Sequence, residues 1–224
     1  MQLVIDGREI TMPVDFTIDK WIEIQKWTGD TDKLISVSLG LPIATVKLIP
    51  EKTKTLAVAL IITALYPSWN KEVKPNIISF EKITLGQFID LEVYISRDYR
   101  KTMLDLIKVL YNTDVNQNEL FGQYWPGVER YLRWRITLYK QYKNLFNVGD
   151  DTEYENEDIT DIKTDLAYGW YDHIMTLADE KFLNIEPVLN KPLIEALNYL
   201  AWYKTKIERE AEAVRVKQAK AQMR

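Results

Sequence analysis

The sequence predicts a mainly α fold, a helical bundle with a small N-terminal β-hairpin or sheet and a long C-terminal helix. Two observations predict it: apolar residues recur at helical spacing over most of the chain, and Asp6-Gly7 separates two short β-prone runs near the start. We predict three consecutive segments. Residues 1–67 form the hairpin with helices, residues 68–149 form a second unit with a similar helix start, and residues 150–224 form an acidic loop and a C-terminal helical extension.

Composition limits the class of protein. The chain has 224 residues, 46% hydrophobic and 28% charged, enough to bury a core as one large or two small domains. The net charge is −4 with both signs spread along the chain, which predicts no general affinity for nucleic acid or an anionic membrane. Cysteine is absent, which excludes disulfides, thiolate nucleophiles and the usual structural zinc sites. The longest apolar stretch, residues 56–66, is too short to cross a bilayer, and the N-terminus lacks a signal-peptide pattern, so no membrane partner is expected.

The first part of the chain predicts a hairpin followed by four helices. Asp-Gly is a strong hairpin signal because both residues tolerate positive φ, so residues 3–12 are predicted as two paired strands that Pro13 ends. Thr28-Gly29-Asp30 stops the first helix, and Pro42 fits the first position of the third. The predicted helices cover about residues 18–27, the apolar stretch from residue 34 that stops at Gly40, residues 42–48 and residues 53–65.

The rest of the chain predicts one further strand, five helices and a loop. Residues 77–80 are predicted as a strand that joins the N-terminal hairpin. Apolar spacing predicts helices at about residues 85–95, 98–111, 127–146 and 162–181, and from residue 191 to near the C-terminus. Six carboxylates lie between residues 150 and 158, which predicts a loop.

A nine-residue pattern occurs twice, 67 positions apart. Residues 16–24 and 83–91 share an apolar residue, Thr, an aromatic residue, Ile and an acid in register. Thr17 and Thr84 are placed to cap helices, and the apolar residue before each has the spacing of a hydrophobic staple. In the second copy Gln87 completes a capping box. The pattern therefore predicts two similar helix starts and assigns no catalytic role to its residues.

The last predicted helix changes character along its length. Residues 193–200 carry apolar side chains suited to a bundle, whereas residues 204–224 hold seven basic and three acidic residues with a thin apolar seam of Ile207, Ala211, Val214 and Ala221. A polar helix gains little stability by burial in its own domain, so we expect something outside the domain to hold it. The candidate partner-binding residues are these basic side chains and the acidic loop: Lys204, Lys206, Arg209, Arg215, Lys217, Lys220, Asp150, Asp151, Glu153 and Glu155.

The residues of common catalytic and metal sites are missing or wrongly spaced. His173 is the single histidine, and no acid or metal ligand lies three or four residues from it, so it is interpreted as structural. An EF-hand loop starting at Asp151 would need Gly and Glu where Asn156 and Ile162 stand. The acidic loop is instead interpreted as solvated or as a docking surface for a basic partner, with cation binding of another kind as the alternative. No glycine-rich phosphate loop occurs. We predict a non-enzymatic protein with no catalytic residue, metal site or cofactor; a hydrolase is the weakest alternative.

A basic helix that also carries aromatic residues suggests an alternative function, nucleic-acid binding. Arg130, Arg133 and Lys140 fall on one face of the helix predicted at 127–146, opposite a stripe that includes Tyr131 and Trp134. Basic residues with stacking aromatics would bind single strands. A packed aromatic face and a solvated basic face explain the same residues and are favoured, so nucleic acid is not the expected partner.

Four features together resemble proteins from the structural and assembly gene modules of tailed bacteriophages. They are the hairpin with its Trp21-Ile22-Glu23-Ile24 helix, the helix break from Ile35-Ser36 to Gly40-Leu41-Pro42, residues 84–91, and a closing helix rich in Lys, Arg, Glu and Ala. The resemblance implies a virion structural protein of the tail or baseplate, or a tail assembly chaperone. It implies other phage structural proteins as partners in a larger oligomeric assembly, located in the virion or, during assembly, in the host cytoplasm. It implies no substrate and no catalytic residue.

Overall fold

The computed structural model describes residues 2–5, 8–27, 29–66, 77–146 and 166–222, and these are mainly helical as predicted. Two strands come first, β1 (Gln2–Ile5) and β2 (Arg8–Thr11). They pair antiparallel, with Gln2 opposite Thr11 and Ile5 opposite Arg8, which confirms the predicted hairpin. Asp6 and Gly7 of the turn lie outside the described residues.

Eleven α-helices follow within the described residues. The Asp30 side chain caps the second by accepting from the Lys33 amide at 3.0 Å, and Gly40, with φ of 67°, ends it. In chain order the helices are α1 (Ile18–Gln25), α2 (Thr31–Leu39), α3 (Ile43–Lys47), α4 (Glu51–Leu65), α5 (Leu85–Ser96), α6 (Met103–Tyr111), α7 (Trp125–Gln141), α8 (Lys143–Phe146), α9 (Leu166–Leu177), α10 (Ile185–Leu189) and α11 (Leu193–Gln222).

Two sequence predictions in the middle of the chain are wrong. The strand predicted at residues 77–80 is absent, and these residues form irregular structure and a turn in which the Ile78 amide donates to the Leu110 carbonyl at 2.8 Å. The helix predicted at 98–111 starts only at Met103. The preceding residues form turns in which Asp98 has φ of 98°, a conformation that no α-helix contains.

Two other predicted helices differ from the expectation, one by an internal break and one by an earlier end. The helix predicted at 127–146 is divided at Tyr142 into α7 and α8. The helix predicted at 162–181 is described from Leu166 and ends at Leu177, because Asp179 and Glu180 both adopt positive φ. A 3-10 turn at Phe182–Asn184 and the short helix α10 fill the interval before α11, and neither was predicted.

The described residues fall into two compact units. Unit 1 spans Met1–Ile78 and Arg97–Tyr131, and unit 2 spans Ser79–Ser96 and Leu132–Arg224. This division differs from the predicted consecutive segments 1–67, 68–149 and 150–224. The reason is nonlocal packing: α5 contacts the late helices α9, α10 and α11, and α1 contacts α6.

The repeated pattern forms a capped helix start in each unit. In unit 1, Thr17 Oγ1 accepts from the Lys20 amide at 3.3 Å. In unit 2, Thr84 and Gln87 form the predicted capping box, because the Gln87 amide donates to Thr84 Oγ1 at 3.2 Å and the Thr84 amide donates to Gln87 Oε1 at 3.0 Å. The apolar and aromatic residues of both copies, Phe16, Trp21, Ile83 and Phe88, are buried.

Each Thr also pairs with a distant part of its own unit. Thr17 forms an isolated antiparallel bridge with Leu120, and Thr84 forms one with Pro192. In unit 1, the amide after Thr17 donates to the Glu119 carbonyl at 3.0 Å, and the Phe121 amide donates to the Phe16 carbonyl at 2.7 Å. In unit 2, the amide of Leu85 donates to the Lys191 carbonyl at 2.9 Å, and the Leu193 amide donates to the Ile83 carbonyl at 2.9 Å. The two bridges use the same atoms at matched positions.

The next residue of each helix also lies close to the distant segment, through a different contact in each unit. The Asp19 amide donates to the Gln117 carbonyl at 3.0 Å in unit 1. In unit 2 the corresponding residue is Gly86, where an added Cβ would lie 3.2 Å from the Leu189 carbonyl oxygen. This close approach favours Gly at position 86, because a side chain there would press on the Leu189 carbonyl.

Trp21 lies at the centre of unit 1. Its side chain is fully buried, its Nε1 donates to the Leu65 carbonyl at 3.2 Å, and its ring stacks on Phe121 with centroids 4.4 Å apart. The Tyr111 side chain in the same unit donates its hydroxyl hydrogen to the carbonyl of Tyr124, the residue before α7, at 3.1 Å. Burial, the largest cause, raises the pKa of Tyr111 to about 12, so this hydroxyl stays a neutral donor.

A buried charged cluster lies at the centre of unit 2. Glu92 of α5 and Arg135 of α7 are both completely buried. Arg135 Nε and Nη2 donate to the two Glu92 carboxylate oxygens at 2.6 and 2.7 Å, and the Tyr139 hydroxyl donates to Glu92 Oε2 at 2.6 Å. The bidentate geometry fixes the register of α5 against α7.

Gly127 of α7 is predicted to be intolerant of a larger residue. A Cβ there would lie 2.8 Å from Ile77 Cδ1 and 2.9 Å from Tyr111 Cζ, so Gly127→Ala should lower the free energy of unfolding by about 1–3 kcal/mol despite the better helix propensity of Ala. The matched control is Gly169→Ala in α9, where a Cβ meets nothing within 4 Å. It should stabilise by about 0.5–1 kcal/mol. Urea denaturation measures both, and the same sign of change in the two variants would contradict the packing described here.

Arg135 is predicted to be structural. Arg135→Ala should cost about 3–5 kcal/mol because it leaves the Glu92 carboxylate buried without its cation. Replacing both residues by Met should cost less than the single change, since no charge then remains buried. Lys206→Ala is the control: its 3.9 Å pair with Glu210 is exposed and should contribute less than about 0.5 kcal/mol. Equal losses for Arg135→Ala and Lys206→Ala in denaturation would contradict the assignment.

Candidate partner-binding surface

The helix α11 consists of a packed half and an exposed half. Four apolar residues of its first turns are buried in unit 2: Leu193, Ala196, Leu197 and Leu200. From Thr205 to Ala221 every residue is exposed. The change at residue 204 confirms the predicted change in character, and the exposed half is about 26 Å long at 1.5 Å per residue.

Side-chain contacts hold the middle of α11 to α8 and its flanks. The Tyr142 hydroxyl donates to Asn198 Oδ1 at 2.7 Å, and the Lys204 ammonium donates to the Asn144 carbonyl. The start of the helix is fixed by the Thr84–Pro192 bridge. The direction of the exposed half is therefore set within unit 2 by contacts at both ends of the packed half.

One stripe of side chains runs the whole length of α11 at heptad spacing. It begins with the buried residues Leu193, Leu197 and Leu200, is interrupted at Lys204, and continues with Ile207, Ala211, Val214, Gln218 and Ala221. We call the second set the α11 seam. Ile207 is 47% exposed and Val214 is 51% exposed, large values for branched aliphatic side chains. The seam is thus the solvent-facing continuation of a stripe that is buried in unit 2.

The predicted basic candidates do not form one patch. With 100° per residue, Arg215 and Lys217 lie on opposite edges of the seam, whereas Arg209 and Lys220 lie on the back of the helix. Lys204 is held by Asn144 within unit 2. Of the predicted set, only Arg215 and Lys217 border the seam directly.

The remaining basic candidate, Lys206, lies at the side of the helix. Its ammonium is 3.9 Å from Glu210 and 5.6 Å from the centre of the Trp202 ring, which is itself 56% exposed. Trp202, on the back of the helix, was not among the predicted residues. The sequence does indicate its exposure, because Trp202 lies two residues after Leu200 and so falls on a different face of the helix from the buried stripe.

The acidic candidates belong to the loop predicted between residues 150 and 158. Asp150, Asp151, Glu153 and Glu155 all lie outside the described residues.

The helix proposed for nucleic-acid binding has the two faces that the sequence predicts. Arg130, Arg133 and Lys140 are exposed. The aromatic residues interleaved with them are inside: Tyr131, Tyr139 and Tyr142 are buried, and Trp134 is half-buried. Arg135 belongs to the buried cluster with Glu92. The tyrosine rings are therefore not accessible for stacking on bases.

His173 of α9 packs against Trp170. It is half-buried and meets the Trp170 ring edge-on, with centroids 5.7 Å apart. Burial is the main cause that lowers its pKa, and the Lys204 charge lowers it further while adjacent Asp172 opposes the shift. These contacts are consistent with a structural role.

A groove lies between α9, α10 and α11 in unit 2. It has a volume of about 260 Å³ and is lined by Leu177, Val188, Lys191, Glu195, Ala196 and Tyr199. It is slightly smaller than a usual small-molecule site. Among the described residues, no three His, Asp or Glu side chains are grouped as a metal site would require. None of the described helices combines the length and the apolar content needed to span a membrane.

The pKa of His173 predicts a pH dependence of stability. Its pKa is lower in the folded protein than the usual value of about 6.5, so below that pH the unfolded chain binds the proton more readily. Stability should therefore fall as the pH drops through about 6.5 toward the folded-state pKa. His173→Gln should remove this contribution, so the difference in unfolding free energy between wild type and variant should change in the variant's favour on acidification. A difference that stays constant between about pH 7.5 and 5.5 would contradict the assigned shift.

Comparison with known proteins finds no matching family model, no matching curated protein and no matching solved structure.

Proposed function

We propose that this chain is a non-enzymatic structural or assembly protein of a tailed bacteriophage, acting in the tail or baseplate through protein–protein contacts. The observation that carries the contact role is the exposed half of α11. A polar helix of this length has little intrinsic stability, and its apolar seam faces solvent within the described residues. An interaction that covers the seam would stabilise the helix and bury Ile207 and Val214.

The resemblance in sequence supports the phage assignment, and the inventory of reactive residues supports the non-enzymatic role. The residues that carry the resemblance include both copies of the Thr-led pattern and the closing helix. The chain offers one histidine and no cysteine, and that histidine packs against Trp170. These features favour a subunit whose role is contact over one whose role is catalysis.

Nucleic-acid binding by residues 130–143 receives less support. Exposed Arg130, Arg133 and Lys140 would attract phosphates, but the tyrosines beside them pack inside the protein. Without accessible rings the helix offers only a nonspecific electrostatic contact.

The proposal predicts that the protein occurs with tail structures. Quantitative mass spectrometry should detect it in purified virions or in tail assembly intermediates of the virus that encodes it. A chain truncated after Lys204 should keep its helical circular dichroism signal in proportion to its length but lose this association, since it lacks the exposed half of α11. Presence in intermediates but absence from virions would assign it as an assembly chaperone within the proposal.

Two results would overturn the proposal. One is absence of the protein from both virions and tail intermediates. The other is binding to single-stranded DNA that weakens steeply with salt and is lost on Arg130→Ala and Arg133→Ala. In that case the chain truncated after Lys204 should bind single-stranded DNA as strongly as the full chain.

A further inference from the structure

The charges beside the α11 seam are separated by sign along the helix, with acidic residues first and basic residues after them. Glu208 and Arg215 lie along one edge of the seam, and Glu210 and Lys217 lie along the other. On both edges the acidic residue is nearer the packed half of the helix and the basic residue is nearer the tip. The seam with its edges is therefore self-complementary when one copy is reversed against another.

We propose that the α11 seam binds a second copy of this chain as an antiparallel two-helix coiled coil. This inference rests on the proposed contact role and names the partner of that surface. In an antiparallel coiled coil, edge positions of the same type face each other. Glu208 then faces Arg215 of the second copy, and Glu210 faces Lys217 of the second copy. The two-fold axis doubles this to four opposite-charge pairs.

The register that makes these pairs also fits the length of the exposed helix. Its axis passes between Ala211 and Val214, so that each of these packs against the other residue in the second copy, and Ile207 lies opposite Gln218. In this register Thr205 of one copy lies at the same axial level as Lys220 of the other. The overlap of the two helices therefore covers the exposed stretch from Thr205 to Ala221 almost completely. The packed body of unit 2 in each copy lies beyond the tip of the other helix.

A parallel pair satisfies fewer of the charges. In parallel coiled coils one edge position faces the other edge of the following heptad, which matches Glu210 with Arg215 of the second copy. Glu208 and Lys217 then meet no opposite charge. Two ion pairs form instead of four, so charge complementarity favours the antiparallel arrangement.

The small residues of the seam suit a close and weak association. Ala211 and Ala221 allow the two helices to approach near the lower end of the usual interaxial distance, about 8 Å. The existing pair of Glu210 with Lys206 is 3.9 Å long and exposed, so exchanging it for Lys217 of the second copy costs little. With few large apolar residues, the affinity depends strongly on the edge charges.

Sedimentation velocity of the purified full chain over a concentration series tests the proposal. We expect a reversible dimer that weakens as salt is raised. Lys217→Glu should weaken it by about tenfold, because two attractive pairs become repulsive. Lys220→Glu is the matched control: it makes the same charge change on the back of the same helix and should leave the dimer unchanged.

A second charge reversal distinguishes the orientation. Glu210→Lys combined with Lys217→Glu should restore the dimer in the antiparallel arrangement, since the two charges exchange roles. In a parallel arrangement Lys217→Glu alone removes no ion pair, whereas the Glu210→Lys change of the double variant sets a positive charge against Arg215, so only the double variant should weaken the dimer. Val214→Ser should also weaken the dimer, whereas Val216→Ser, which alters an exposed valine on the back of the helix, should not.

Three results would overturn the inference: a chain that is monomeric at every concentration, a dimer equally sensitive to Lys217→Glu and Lys220→Glu, or a double variant that fails to recover. Because these measurements use the isolated chain, they fail separately from detection in virions. A monomer that is nevertheless found in tails would leave the proposed function standing and assign the seam to a different partner.

Discussion

The structure depends on a pair of backbone bridges that join each Thr-led helix to the segment preceding another helix. In unit 1 the bridge joins the start of α1 to the residues just before α7, and in unit 2 it joins the start of α5 to the residues just before α11. Each bridge has two backbone hydrogen bonds between residues far apart in sequence. Burial of Phe16, Trp21, Ile83 and Phe88 around the two Thr residues protects those bonds from water. Both units are thus organised around the same nonlocal contact.

The bridge in unit 2 has a direct consequence for the proposed interaction surface. It fixes the first residue of α11, and the Tyr142–Asn198 bond fixes its rotation further along. The heptad stripe that begins at Leu193 is therefore held with its first half in unit 2, and helical geometry carries the same stripe to Val214. Two parts of one heptad stripe, separated at Lys204, thus contact two surfaces: the interior of unit 2 and, in our proposal, a second copy of the chain. The chain needs no separate binding element, because α11 provides both the packing inside unit 2 and the proposed contact surface.

Local features of the fold were predictable from the sequence, and nonlocal ones were not. Thr84 and Gln87 lie three residues apart, so their reciprocal capping follows from spacing alone, and Asp6-Gly7 similarly indicates the hairpin. The partners of the bridges, Leu120 and Pro192, lie about a hundred residues from the Thr residues and have no local signal. The predicted domain boundaries differ from the observed units for the same reason, since α5 packs with helices from the end of the chain.

The candidate surface was predicted in part. Amphipathic spacing correctly separates the basic and aromatic faces of α7, and Arg135, a basic residue of the same helix, is buried with Glu92 instead of lying on the basic face. Its position four residues from both Tyr131 and Tyr139 places it on the apolar face, which was the available signal. In α11 the sequence indicated the polar half and most of the seam. A count of basic residues does not show how the acidic and basic residues are separated along the edges of the seam. The side of the helix on which each charge lies decides whether it can pair.

The orientation of two copies of α11 tests the account most directly. The chain has no cysteine, so single cysteines at Thr205, Glu212 and Ala219, which share one heptad position, can each carry a spin label in the full chain. Pulsed electron paramagnetic resonance then measures the distance between the spin labels of the two copies. The antiparallel arrangement predicts the shortest distance at residue 212 and longer ones at both 205 and 219, where the axial offset is about 20 Å at 1.5 Å per residue. Equal distances at the three positions, or no measurable coupling between copies, would contradict it.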